Sequence, residues 1–305
     1  MTTLSGEASI NFDSYWQDTL DELTALPPAP EVQAIPLRST DFATAYGVSL
    51  TSIGPYRLYA YLSIPRGEGP FPARYYLPRY GSVTDLVPQG TSNSQRREHV
   101  TFAICVRGQR LADQPYAAAF PGLLTDGIDD PMGYVYRGIV ADCVRGVEYL
   151  ASRPEVDGAR IAAIGNDLAY TTAALCAQVT HLVCTPALLY DTANLARRTS
   201  AYPLEEITDY LRLHPEREDA VRHTLSHFDL RRFASRVNAT TLLMAGADGS
   251  ALDAAALAPL IQAMPGEVEV HKAEHSGYKD GRHSEEWLSR RFGMAEASLP
   301  AHWRG

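Results

Sequence analysis

Four short apolar runs, at about 160–164, 181–186, 240–245 and 267–271, alternate with stretches of helical periodicity, and this alternation restricts the fold more than any other feature. Strands joined by crossover helices imply a largely parallel sheet covered on both faces. The helix ahead of the first run is marked by Tyr136, Val140, Cys143, Val147 and Leu150, at alternating spacings of four and three, and it ends at Pro154. Further upstream, residues 10 to 24 read as an amphipathic helix that stops before Pro27-Pro28. Strand-like runs follow at 47–53, 56–63, 72–77 and 99–105, with Gly54-Pro55 as a hairpin signal. Residues 82 to 98 are polar and irregular, and residues 190 to 236 carry several helices between two strands. The expectation is one α/β domain over 1–305, with a mostly parallel central sheet flanked by helices and a helical cap inserted at about 190–236.

Composition narrows the partners. The 305 residues carry 27 basic and 36 acidic side chains, a net charge of −9, which argues against nucleic acid or an anionic membrane as the main partner. No apolar run approaches the ~18 residues of a membrane span. The start, Met1 to Glu7, lacks a basic region followed by an apolar one, so no signal peptide is expected. Cys105, Cys143, Cys176 and Cys184 lie in apolar segments without paired spacing. They read as buried, reduced thiols, which fits the cytoplasm.

The run ending at Ile164 is followed by Gly165-Asn166-Asp167-Leu168-Ala169 and then by a helical stretch to about Val179. In many hydrolases this strand-turn-helix junction carries G-x-S-x-G, with the serine on a strained turn. Here Asp167 takes the serine's place, and Asp tolerates the positive φ of such a turn better than most side chains. Asp248 follows the 240–245 run, and His275 follows the run near 267–271. Nucleophile, acid, then histidine, each at the carboxyl end of a strand, is the order of α/β-hydrolases.

Several blocks carry a wider likeness. They are Phe12-Asp13-Ser14-Tyr15-Trp16, Val106-Arg107-Gly108-Gln109, Leu124-Thr125-Asp126-Gly127-Ile128 and Tyr134-Val135-Tyr136-Arg137, continuing through Arg153-Pro154-Glu155-Val156-Asp157, Tyr190-Asp191-Thr192-Ala193-Asn194 and Leu225-Ser226-His227-Phe228-Asp229. On these the chain resembles, along nearly its whole length, the acetyl xylan esterase and cephalosporin C deacetylase group of carbohydrate esterases. That resemblance implies an α/β-hydrolase fold, deacetylation of small esters and an assembly that is often a hexameric ring. By position it implies Asp248 as triad acid, His275 as general base, and Tyr80 and Leu168 as backbone donors of the oxyanion hole. The departures are Asp167 for the serine, Pro78-Arg79 for the His-Gly ahead of the oxyanion tyrosine, Ala169 for the second glycine, and Arg110 after Arg107-Gly108-Gln109. All but the last fall on the catalytic centre.

Three roles are open to Asp167: a covalent nucleophile with His275 as base, a general base acting on water or substrate, or an inert partner that locks His275 as an ion pair. The expected activity is a small-molecule hydrolase type using Asp167, His275 and Asp248 on an ester, lactone or related substrate. The alternatives are a cyclase, lyase or isomerase, or a catalytically silent binder. As bland readings, Asp167 would be an acidic helix cap, Asp248 a turn residue in Ala247-Asp248-Gly249 with Asp253 as fallback acid, and His275 a surface histidine. Arg79 would either hold an anionic group bidentately or face solvent. Arg107 and Gln109 are expected to hydrogen-bond loops. His223 and His227 have a metal-compatible spacing but no third ligand nearby, so they read as a solvated helix face. No metal or cofactor is expected; the expected partners are a small-molecule substrate and further copies of the chain.

Overall fold

The computed structural model describes residues 11–81, 83–84, 87–89, 93–113, 118–274, 276–300 and 303. His275 lies outside the described residues. One nine-stranded sheet organises the chain, in the order β1-β2-β3-β5-β4-β6-β7-β8-β9. The strands are β1 (Glu31–Ala34), β2 (Ala43–Ser52), β3 (Tyr56–Pro65), β4 (Phe71–Tyr76), β5 (Val100–Cys105), β6 (Val156–Gly165), β7 (His181–Cys184), β8 (Thr240–Ala245) and β9 (Val268–Lys272). Pairing is antiparallel from β1 through β3 to β5. From β5 to β9 it is parallel.

The helices are α1 (Phe12–Ala25), α2 (Gln95–Glu98), α3 (Val135–Ala151), α4 (Asp167–Leu175), α5 (Thr192–Ala196), α6 (Glu205–Leu213), α7 (Glu218–Ser226), α8 (Leu230–Phe233), α9 (Ala258–Ala263) and α10 (Gly277–Arg291). α5 to α8 occupy the interval between β7 and β8. Every residue of β5 is buried, as its unbroken apolar run requires of a strand covered on both faces. The face of α3 marked by Val140, Cys143, Val147 and Leu150 is fully buried.

α1 begins at Asn11, whose side chain accepts the Asp13 N–H, and it buries Tyr15 and Trp16 completely. The Trp16 indole donates to the His227 carbonyl at 3.0 Å and the Tyr15 hydroxyl to the Pro131 carbonyl at 2.7 Å, so each buried aromatic has its polar end satisfied. No helix is long and apolar enough to cross a membrane, among the described residues. The four cysteines are free and buried. Parallel register aligns Tyr76 with Ile164, Gly165 with Cys184 and Cys184 with Leu243. The carboxyl ends of β4, β6, β7 and β8 therefore share one edge, where ligand sites form in open α/β sheets.

Candidate active site

β6 passes directly into α4. A Cβ on Gly165 would come within 3.2 Å of the Leu77 Cβ and 3.3 Å of the Leu77 carbonyl oxygen, so the close passage of the chain leaving β4 calls for glycine there. Asn166, at φ −104° and ψ −140°, is the N-cap, and Asp167 is the first residue of α4. The expected positive φ at Asp167 is not present: among the described residues, the non-glycine residues with positive φ are Ala29, Leu111 and Asp191. The bend is taken up at Asn166, and a residue that opens a helix needs no left-handed backbone. α4 also stops at Leu175, short of Val179.

Asp167 is buried, and its carboxylate turns across to the loop after β7. Oδ1 accepts the N–H groups of Ala187 (3.0 Å) and Leu189 (3.1 Å), and Oδ2 accepts that of Leu188 (2.9 Å). Oδ2 thus takes one donor from this loop to the two on Oδ1, and the residue's own N–H adds a further favourable contact to the carboxylate. Burial raises the Asp167 pKa, and the N–H groups of Ala187, Leu188, Leu189 and Asp167 itself pull against it without cancelling it. The group is thus a stronger base than a solvated aspartate.

Asp167 forms part of the wall of a pocket of about 310 Å³, together with Arg79, Tyr80, Tyr136, Leu168 and Tyr202. This pocket unites three of the expected site residues, Arg79, Tyr80 and Leu168, with Asp167. Gln109, 1 % exposed, holds the segment that carries Tyr80. Its Nε2 donates to the carbonyls of Arg79 (3.3 Å) and Gly81 (3.1 Å), on either side of Tyr80, while its Oε1 accepts the Thr84 hydroxyl (2.5 Å) and the Val106 N–H (3.2 Å). Arg107 pairs bidentately with Asp142 and also donates to the Ile53 carbonyl. Gln109 therefore serves the loop at the site, whereas Arg107 ties the end of β5 to α3 and to the turn between β2 and β3.

Two further residues, neither expected at the site from the sequence, complete it. Glu206, on α6, is buried and accepts the Tyr80 hydroxyl at 2.5 Å and the Leu124 N–H at 3.0 Å. Burial raises its pKa against those two hydrogen bonds. Tyr136 faces the pocket from the start of α3. Burial and then the nearby Asp167 charge push its hydroxyl pKa up, so it stays protonated. That hydroxyl has no hydrogen-bond partner among the described residues.

Away from the pocket, Asp248 has an 81 % exposed side chain and forms an ion pair with Lys272. Asp253, the fallback acid, accepts the N–H groups of Gly249 (2.7 Å) and Ala256 (2.8 Å). Asp280 accepts the N–H groups of Glu274 (2.9 Å) and Ser276 (3.1 Å) and lies 3.1 Å from the His271 imidazole. His223 is exposed but His227 is buried, its ring 4.6 Å from Tyr15. The reading of both as a solvated face is thus corrected: α1 covers one of them. No group of three or more His, Cys, Asp or Glu suited to a metal ion occurs among the described residues.

Comparison with known proteins agrees with this architecture. The model of the acetyl xylan esterase (AXE1) family matches residues 5–260. A curated relative, the acetyl esterase Axe7A of Xylanibacter ruminicola, is 26% identical over 240 residues, which are 74% of this chain and 54% of the relative. The chain thus spans about half the length of that relative. The solved acetyl xylan esterase from Paenibacillus sp. R4 superposes with a TM-score of 0.79 at 25% identity, over 96% of both chains. Acetyl xylan esterase 1 from Thermoanaerobacterium sp. JW/SL YS485 gives 0.77 at 21% identity, over 92% of this chain and 93% of that one, a likeness of fold.

Proposed function

This chain belongs to the acetyl xylan esterase family, and on that footing we propose that it is a hydrolase-type enzyme of small esters, acetyl esters or related lactones, in which Asp167 is a general base toward water. The observation that carries this reading is the buried Asp167 carboxylate on the pocket wall, oriented by three N–H groups of the loop after β7, two on Oδ1 and one on Oδ2. Either role, base or covalent nucleophile, neutralises the carboxylate and weakens its charge-assisted bonds, an acyl adduct for the life of the intermediate but a base only until its proton passes on.

In this mechanism a water between Oδ2 and the substrate loses its proton to Asp167 and attacks the carbonyl carbon. The developing oxyanion is met by the Tyr136 hydroxyl, together with the N–H groups of Tyr80 and Leu168 that the family likeness assigns to this task. The proton then passes to the leaving oxygen. His275 belongs to the proposal as the relay and Asp248 as its acid, a part that Asp248 takes only by giving up Lys272. A homo-oligomeric assembly and a reducing, cytoplasmic setting, in keeping with four free cysteines, complete the reading.

The test is turnover of a panel of acetyl esters and lactones by the protein and its Asp167→Asn variant. A general base contributes about 10²–10⁴-fold, so Asn should lower kcat by that factor while the fold persists. An unchanged rate refutes the role. The three N–H bonds also favour a second reading, in which Asp167 is a structural anchor of a silent binder. That reading predicts ligand binding with no turnover by either protein.

A further inference from the structure

A larger cleft of about 540 Å³ lies beside the Asp167 pocket and shares two lining residues with it, Arg79 and Asn166. Arg79 also lines a third cleft, of about 290 Å³, and so stands where all three meet. The acidic side chains of the larger cleft are already matched. Glu285 accepts Arg74 at 2.7 and 2.8 Å and Gln95 at 2.7 Å. Asp280 is held by two N–H groups and His271. Arg79 differs. Among the described residues its guanidinium makes no ion pair or hydrogen bond, although its own carbonyl is fixed by Gln109. The Asn166 side chain is likewise without a partner among the described residues and offers two more donors. The backbone under both groups is thus held, by Gln109 on one side and by the start of α4 on the other, while among the described residues their polar ends have no partner.

We infer that Arg79 and Asn166 form a carboxylate subsite, and that the substrate is a small ester whose body carries a carboxylate outside the reacting group. The inference rests on the esterase reading above. A planar guanidinium matches a carboxylate through two parallel hydrogen bonds, and a neighbouring carboxamide can donate to the same oxygens. The charge balance selects a carboxylate over a phosphate. One unmatched cation neutralises a monoanion, whereas a dianion would bring a second negative charge beside Asp167, Asp280 and Glu285. The reacting ester then occupies the Asp167 pocket, and the acid-bearing end reaches past Asn166 into the larger cleft.

The probes are acetoxyacetate and its methyl ester, which share the acetyl ester and differ in the distal carboxylate. Their binding is measured calorimetrically in the Asp167→Asn background, where turnover is too slow to interfere, and their hydrolysis is measured in the parent protein. Because Arg79 is exposed to solvent, the anion should bind about fivefold more tightly than the methyl ester at low salt. Arg79→Met should bring the two affinities within about twofold of each other, and Arg79→Lys should keep a smaller preference, since it retains the charge but not the paired geometry. Equal binding of both probes to the Arg79 protein overturns the inference, as does a preference that survives in Arg79→Met. The two proposals fail separately. Selective binding without turnover of either probe removes the esterase reading, while hydrolysis of both without selectivity removes the carboxylate subsite.

Discussion

Gln109→Leu removes the brace under Tyr80 without opening a large cavity, because the two side chains are similar in volume. Four hydrogen bonds are lost, and they do not weigh equally. The Thr84 hydroxyl keeps its 3.0 Å bond to the Ile104 carbonyl, so it is not orphaned. The bonds to the carbonyls of Arg79 and Gly81 are only part-buried, so water replaces the amide at small cost. The Val106 N–H is different, because Val106 is buried and its Gln109 partner is gone. One buried orphan costs about 1–3 kcal/mol, and with two part-buried bonds weakened the total should be about 2–4 kcal/mol. Equilibrium urea unfolding followed by circular dichroism reads this directly, as a lower midpoint at unchanged slope. Gln109→Glu is the companion variant. It keeps both acceptor bonds but turns a carboxylate toward two carbonyls, so it should be no more stable than the leucine form. A leucine variant within about 0.5 kcal/mol of the parent, the range of ordinary surface changes, would refute the reasoning.

Other consequences follow from the same network. The Arg74 side chain is fully buried against Glu285. Glu285→Gln leaves that cation uncompensated and should cost about 3–5 kcal/mol, while Arg74→Met with Glu285→Leu should restore much of it, both read by urea unfolding. At Asp280, burial acts to raise the pKa, but the N–H groups of Glu274 and Ser276 and the His271 imidazole outweigh it and hold the carboxyl below its ordinary value. A depressed folded pKa gives stability that is present above the unfolded pKa of about 3.9 and lost as pH falls through the folded value. Asp280→Asn should therefore flatten the acid limb of a stability-versus-pH curve below about pH 4, and an unaltered limb would contradict the assignment.

Much of the sheet was legible because each parallel strand is an apolar run and each crossover helix has a marked face. The 160–164 and 240–245 runs fall inside β6 and β8, and the Tyr136 to Leu150 pattern falls inside α3. β1 was silent, since all four of its residues are exposed and no alternation marks them. α2 lies in a stretch that reads as polar and irregular, yet it buries Gln95 and Arg96 against β-strand neighbours. Asp167 is legible because it follows a strand, whereas Arg79, Tyr80 and Leu168 are legible only through the family resemblance. Glu206 is not legible, because its burial depends on where α6 lands over Tyr80, a contact 126 residues away in the chain. The Asp248–Lys272 pair depends on the register that aligns Ala245 with Lys272, and no local pattern encodes it. The burial of His227 likewise follows from α1, more than 200 residues earlier. The bend at Asn166 in place of a left-handed Asp167 is a backbone choice that the motif alone does not reveal.

The central claim is that Asp167 activates water and forms no bond to the substrate. Its most direct test is a single turnover with enzyme in excess in heavy-oxygen water, followed by mass spectrometry of the product acid and of the peptide containing Asp167. The mechanism predicts the heavy oxygen in the product and an unlabelled, unmodified Asp167 peptide. Label in that peptide, or an acyl adduct on it, would contradict the account.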